Sequence, residues 1–127
     1  YPEAITQLGT LLSKWEYEVI PVPFHGCLHL KSAVTQVGER QLLMNDRHVQ
    51  AASFRDMDIL TVAPPEPDGA NALLVAGAVI YPAHYPATRE RLVRAGVRVL
   101  PVPATEIAKA EGGVTCCSIL FEQSIKS

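Results

Sequence analysis

Val19-Ile20-Pro21-Val22-Pro23 returns as Val99-Leu100-Pro101-Val102-Pro103, and Ile59-Leu60-Thr61-Val62-Ala63 stands midway, so the sequence repeats about every 40 residues. A chain with such a period is built from one supersecondary unit used several times. Each copy is a short apolar, β-branched run followed by turn residues, which reads as a strand. Ile5, Leu8, Leu12 and Trp15 fall at helical spacing ahead of the first copy. Tyr85, Thr88 and Leu92 do so ahead of the third, with Gly96 as the helix stop. Tyr1-Pro2 and Tyr85-Pro86 open these two helices alike, with Pro in the tolerated first turn. Arg47 to Phe54 gives a weaker helix ahead of the second copy. Ala33 to Val37 turns through Gly38-Glu39-Arg40 into Gln41 to Met44, and Ala72 to Val75 turns at Ala76-Gly77 into Ala78 to Tyr81. Both segments read as hairpins.

The unit is therefore strand, strand, helix, strand. Periods near 40 also occur in all-β propeller blades and helical solenoids, but one helix for every three strands fits neither. The expected class is α/β: small sheets around a centre, helices outside, residues 1–127 forming a single domain. A length of 127 residues is one domain's worth, and 48% hydrophobic with 19% charged residues excludes a disordered chain. About three units leave an open edge, so a partner is expected, either another copy of this chain or a missing half. The net charge of −2 comes with no basic stripe, which argues against nucleic acid and anionic membrane surfaces. The longest apolar run, Ala72 to Ala83, is broken by Gly77 and Pro82 and falls short of the ~20 residues a membrane span needs. No leader with a charged and then an apolar region opens the sequence. Cys27, Cys116 and Cys117 are odd in number and two are adjacent, a poor disulfide framework. A reducing, cytoplasmic compartment is expected.

Two loops carry candidate chemistry. Phe24-His25-Gly26-Cys27-Leu28-His29-Leu30-Lys31-Ser32 follows the first repeat strand. Glu111-Gly112-Gly113-Val114-Thr115-Cys116-Cys117-Ser118 follows the third, after a helix-like stretch from Ala104 to Ala110. Repeats arranged about an axis would bring both loops to one side, where His29 could meet a cysteine. A histidine beside a cysteine favours the thiolate, the nucleophilic form. The same residues also have plain readings. A cysteine entering the apolar run Cys116 to Phe121, expected as a strand, serves equally as a small buried hydrophobe. His29, between Leu28 and Leu30, could be a core histidine. Cys27, His25, His29, Cys116 and Cys117 could supply zinc ligands, although no C-x-x-C or H-x-x-x-H spacing is present.

Leu28-His29-Leu30-Lys31-Ser32 together with Gly113-Val114-Thr115-Cys116-Cys117-Ser118 resembles the dimethylarginine dimethylaminohydrolase family of the guanidine-modifying (pentein) superfamily. The resemblance runs along the whole chain to Ser127. It implies a five-bladed α/β propeller of ββαβ units, of which this chain is the C-terminal half. It implies hydrolysis of dimethylarginine to citrulline and dimethylamine through a covalent cysteine intermediate, without cofactor or metal. By this resemblance Cys116 is the nucleophile and His29 the general acid/base. Glu111, where the family often has Asp, and the backbone of Ala110 contact the α-amino group of the guanidine substrate. Cys117 would face away from the site on the same strand. Zinc on Cys116 and His29 would signal inhibition. Arginine deiminases of the superfamily carry an acidic residue soon after the histidine. Lys31-Ser32 stands there instead, which favours the dimethylaminohydrolase branch. Alternatives are another guanidine-modifying enzyme, an arginine deiminase or an amidinotransferase, or a non-catalytic interaction fragment.

Overall fold

The computed structural model describes residues 1–123; Ser127, included in the sequence resemblance, lies outside them. Two three-stranded mixed sheets form the body. The first holds β1 (Val34–Gln36), β2 (Gln41–Met44) and β3 (Asp58–Thr61) in that order. The second holds β4 (Leu73–Val75), β5 (Ala78–Pro82) and β6 (Val99–Val102). In each, an antiparallel hairpin offers its second strand to a parallel third strand that arrives by a crossover. The strand order is that of the unit read from the sequence, but only the second unit has the expected helix in its crossover.

Local chemistry explains the second unit well. Ala76 and Gly77 both adopt positive φ (49° and 73°), the tight two-residue turn whose twist matches a hairpin. The β5–β6 crossover is α3 (Pro86–Arg94), which buries Thr88 and Leu92. Gly96, at φ 83°, ends it: its N–H reaches Val93 O and the next N–H, of Val97, reaches Leu92 O, the paired bonds of a left-handed helix stop. No side chain at the N-cap residue Tyr85 caps the helix start. Glu66 does so from the preceding loop, accepting from the Ala87 and Thr88 amides at 2.9 and 2.7 Å. Burial pushes the Glu66 carboxyl up, but the Thr88 hydroxyl, these two amides and the charge of Arg91 outweigh it and hold the pKa below its ordinary value.

The first unit departs from expectation in its crossover. Arg47 to Phe54 forms no α-helix, only a single 3₁₀ turn at Ala51–Ser53. The buried Asn45 has already captured the backbone there, its Oδ1 accepting from the Arg47 N–H and its Nδ2 reaching Pro67 O at 2.7 Å. The few residues left are too short a run to sustain a helix. Val19 to Pro23 also forms no strand. In β3 and β6 the third strand adds to a hairpin that precedes it. Among the described residues Val19 to Pro23 pairs with neither sheet. Only Phe24 makes an isolated bridge, to Val49. The first helix, α1 (Pro2–Leu12), buries none of its residues, and Ile5, Leu8, Leu11 and Trp15 are exposed.

The central core includes residues from both sheets: Val37 and Leu43 from the first unit, Val79, Tyr81 and Leu92 from the second. The buried hydroxyl of Thr35 joins the sheets, donating to Ala70 O at 2.6 Å and accepting from the Ala72 N–H at 3.0 Å. Tyr81 holds the same segment, its hydroxyl donating to Gly69 O at 2.6 Å. Among the described residues no helix is long and apolar enough to cross a membrane.

Two outcomes test this account. Thr35→Val leaves a buried carbonyl and a buried amide unpaired and should cost about 1–3 kcal/mol, read as a lower urea midpoint at unchanged slope; an unaltered midpoint would refute the joint. Glu66→Gln should destabilise by about 1 kcal/mol at neutral pH. A depressed carboxyl stabilises above its unfolded pKa, so this difference should shrink as pH falls below about 4.

Candidate active site

A short helix, α2 (Leu30–Ala33), delivers the chain into β1, and His29 is its N-cap residue with extended backbone (φ −130°, ψ 146°). The His29 carbonyl accepts from the Ser32 N–H at 2.9 Å and from the Cys27 thiol at 3.5 Å. Leu30 and Cys27 pack on a satellite core of Ala33, Val34, Leu42, Met44 and Val49. That packing anchors the segment while the His29 side chain stays exposed. Burial raises the pKa of Cys27, which suits a packing role.

The cysteine loop is anchored by a different cluster. Val114 is buried with Leu73 and Ala104, against Ile107 of α4 (Thr105–Lys109). Ala110 and Glu111 end α4: Glu111 takes the left-handed conformation at φ 57°, and the Gly112 N–H reaches Ile107 O at 2.8 Å. The chain then folds into a turn closed by the Cys117 N–H on Gly113 O. The Cys116 sulfur is held in that turn, accepting from the Gly113 N–H at 3.0 Å and, as a thiol, donating to Gly113 O at 3.2 Å. The Gly113 amide lowers the Cys116 pKa, assisted by the Cys117 thiol at 4.0 Å. Cys117 is pushed up by the same sulfur–sulfur contact. Of the three cysteines, Cys116 is the one whose environment favours the thiolate.

The expected strand from Cys116 to Phe121 is absent: Cys116 and Cys117 lie in the turn, and Ile119, Leu120 and Phe121 are exposed. Sheet pairing in the second unit stops at three strands, and these residues pair with neither of its edge strands, β4 or β6. Cys117 is therefore not on the opposite face of a strand, and both thiols are solvent-facing.

One side chain links the two loops. Asn71, in the segment pinned by Thr35, donates from Nδ2 to Lys31 O at 3.0 Å and to Thr115 Oγ1 at 2.8 Å. Its Oδ1 accepts from the Thr115 N–H at 3.1 Å. The bridge thus ends two residues from His29 on one side and one residue from Cys116 on the other. Ala110 and Glu111 sit on the same loop as Cys116, exposed. Nothing in the sequence marked Asn71, since a lone Asn before a strand reads as a turn residue. A cavity of about 480 Å³ lies at the other end of the strands, lined by the turn residues Gly38, Ala76 and Gly77, and takes no part in this arrangement. Among the described residues no three His, Cys, Asp or Glu side chains come together to hold a metal. His25 stacks edge-on to His48 with ring centroids 6.4 Å apart. The zinc grouping conceivable from the sequence is therefore not assembled.

No family model matches the chain. Over 119 residues, 94% of its length, it is 34% identical to the N(G),N(G)-dimethylarginine dimethylaminohydrolase of Pseudomonas aeruginosa, covering 47% of that protein. It is 30% identical over 120 residues to the Streptomyces coelicolor protein of the same name, covering 94% of this chain and 45% of that one. A solved structure of the Pseudomonas aeruginosa enzyme, a cysteine-to-serine variant complexed with citrulline, matches with a TM-score of 0.79 at 33% identity, over 87% of this chain and 44% of that one. The chain spans about half the length of the curated relatives it matches. The resemblance read from the two loops thus extends along nearly the whole chain.

Alkylation by iodoacetamide, resolved by site, should modify Cys116 first, with an inflection below the ~8.5 of an ordinary thiol. Cys117 should follow and Cys27 come last. Equal rates at Cys116 and Cys117 across the pH range would refute the role given to the Gly113 amide.

Proposed function

We propose that this chain is the cysteine–histidine half of a dimethylarginine-hydrolysing enzyme, residues 1–127 forming one C-terminal part of a pentein propeller. The observation that carries the reading is the thiolate-favouring turn of Cys116 tied to the His29 segment, in a chain similar along its length to dimethylarginine dimethylaminohydrolases. The guanidinium carbon is a weak electrophile because its charge is delocalised, so a strong nucleophile is required. The Cys116 thiolate adds to that carbon. His29, as imidazolium, gives its proton to the dimethylamino nitrogen, the C–N bond breaks and dimethylamine leaves. A thiouronium remains on Cys116. Neutral His29 then takes a proton from water as its oxygen attacks the same carbon. The C–S bond breaks as the hydroxyl proton passes to solvent, neutral citrulline departs and the thiolate returns. Ala110 and Glu111 border the site where the α-amino group of the substrate would lie.

The remainder of the site comes from a companion, either the other half of the propeller or a second copy of the chain. The exposed apolar face of α1 and the unpaired Val19 to Pro23 support such a neighbour. Carboxylates to orient the guanidinium would come from it. Free thiols at all three cysteines suit a cytoplasmic setting.

Citrulline release from asymmetric dimethylarginine tests the reading, measured on the chain alone and after joining it to a companion half. Cys116→Ser should abolish release, and His29→Ala should lower it by roughly 10²–10⁴-fold. Cys117→Ser should remain active. Loss of activity in Cys117→Ser with retention in Cys116→Ser would overturn the assignment of the nucleophile.

A further inference from the structure

The geometry points to Asn71 as a positioning residue that sets the Cys116 turn against the start of α2. Its carboxamide makes three hydrogen bonds: Nδ2 donates to Lys31 O and Thr115 Oγ1, and Oδ1 accepts from the Thr115 N–H. One bridge thereby ends two residues from His29 and one residue from Cys116, in segments anchored by separate packing clusters through Leu30 and Val114. The bridge is itself fixed. The carbonyl before Asn71 and the amide after it are both bound by the buried Thr35 hydroxyl, so the Asn71 backbone has little freedom to turn. Gly113 completes the fit: a Cβ there would lie 2.5 Å from Asn71 Oδ1, so only glycine lets the Cys116 turn approach this closely.

Asn71 holds no charge, and its hydrogen bonds go to Lys31 and Thr115, not to either sulfur or the imidazole. Its influence passes through Thr115, which fixes the turn in which the Gly113 N–H meets the Cys116 sulfur. The titratable groups on the segments it joins are Cys117 and Glu111 on the cysteine side and His29 and Lys31 on the other. None of them is exchanged for another charge when Asn71 is replaced by Ala. A change in Cys116 reactivity in that variant therefore reports turn geometry and not an altered local charge.

The role in catalysis rests on the hydrolase reading above; the role in holding the thiol does not. The experiment is the pH profile of Cys116 alkylation by iodoacetamide in the full chain, read by mass spectrometry, for Asn71→Ala, Thr115→Val and the double variant. Folding is checked by circular dichroism. Asn71→Ala should move the Cys116 inflection upward by about one pH unit, the equivalent of one hydrogen bond to a charged group. Thr115→Val, which keeps the backbone bond, should move it less. The double variant should go no further than Asn71→Ala, because both act through one bridge. An unchanged inflection in Asn71→Ala, or additive shifts in the double variant, overturns the proposal. If Asn71→Ala does not fold, Thr115→Val decides: an upward shift supports the bridge and none overturns it. In an active preparation Asn71→Ala should lower kcat at least tenfold with KM changed less than threefold, as befits a residue that does not touch substrate. A moved alkylation profile in a protein that never releases citrulline would leave the bridge standing and remove the hydrolase reading.

Discussion

The Thr35 hydroxyl is the joint on which the arrangement depends. It is buried, and it donates to the Ala70 carbonyl and accepts from the Ala72 amide, both in the segment that leads into β4. Each of those groups would otherwise face an interior without water, where an unpaired peptide group loses far more than a single hydrogen bond gains. β1 is consequently tied to the segment that enters β4, and the central core closes over the joint. Tyr81 and Asn45 bind the carbonyls of Gly69 and Pro67, so the loop leading to β4 is held at several successive points. A loop tied this tightly behaves as part of the scaffold, and Asn71 inherits its rigidity.

The rest of the site follows from a division of labour between packing clusters. Apolar burial under α2 fixes where the His29 segment sits, and burial of Val114 fixes the cysteine turn. Hydrophobic contact has no directional preference, so neither cluster alone can set one loop against the other to within a few tenths of an ångström. Directional bonds at Asn71 supply that alignment. The left-handed Glu111 contributes differently: it reverses the chain straight after α4 and brings the Gly113 amide back toward the sulfur.

Much of the scaffold was legible because its signals are local. The apolar runs Leu73 to Val75 and Ala78 to Tyr81, the Ala76-Gly77 turn and the Gly96 stop each carry their own physics, and the structure follows all of them. The misreadings share one cause. Val19 to Pro23 and Cys116 to Phe121 have the composition of strands, but a strand exists only where a neighbour accepts its hydrogen bonds. Composition cannot reveal whether that neighbour is present. Arg47 to Phe54 failed for a related reason, since Asn45 and its partner Pro67 lie 22 residues apart. The two loops of the site were visible as motifs. Asn71 was not, because its role is defined by Lys31 and Thr115, 40 and 44 residues away.

The exposure of Cys116 and His29 bears on how such a site would work. A single amide donor favours a thiolate only modestly when water surrounds it. Two unit charges 4 Å apart attract by about 1 kcal/mol in bulk water and by about 4 kcal/mol in the partly dry environment near a protein surface. In the proposed enzyme the substrate is itself a cation. A companion that covers the open face would therefore strengthen the attraction between guanidinium and thiolate simply by excluding water, before any carboxylate of its own is counted. The chain as it stands provides alignment without enclosure. At the other end of the sequence α1 also presents apolar side chains and buries none of them. In the proposed reading, one missing neighbour explains the uncovered thiol, the unpaired strand and the bare helix together.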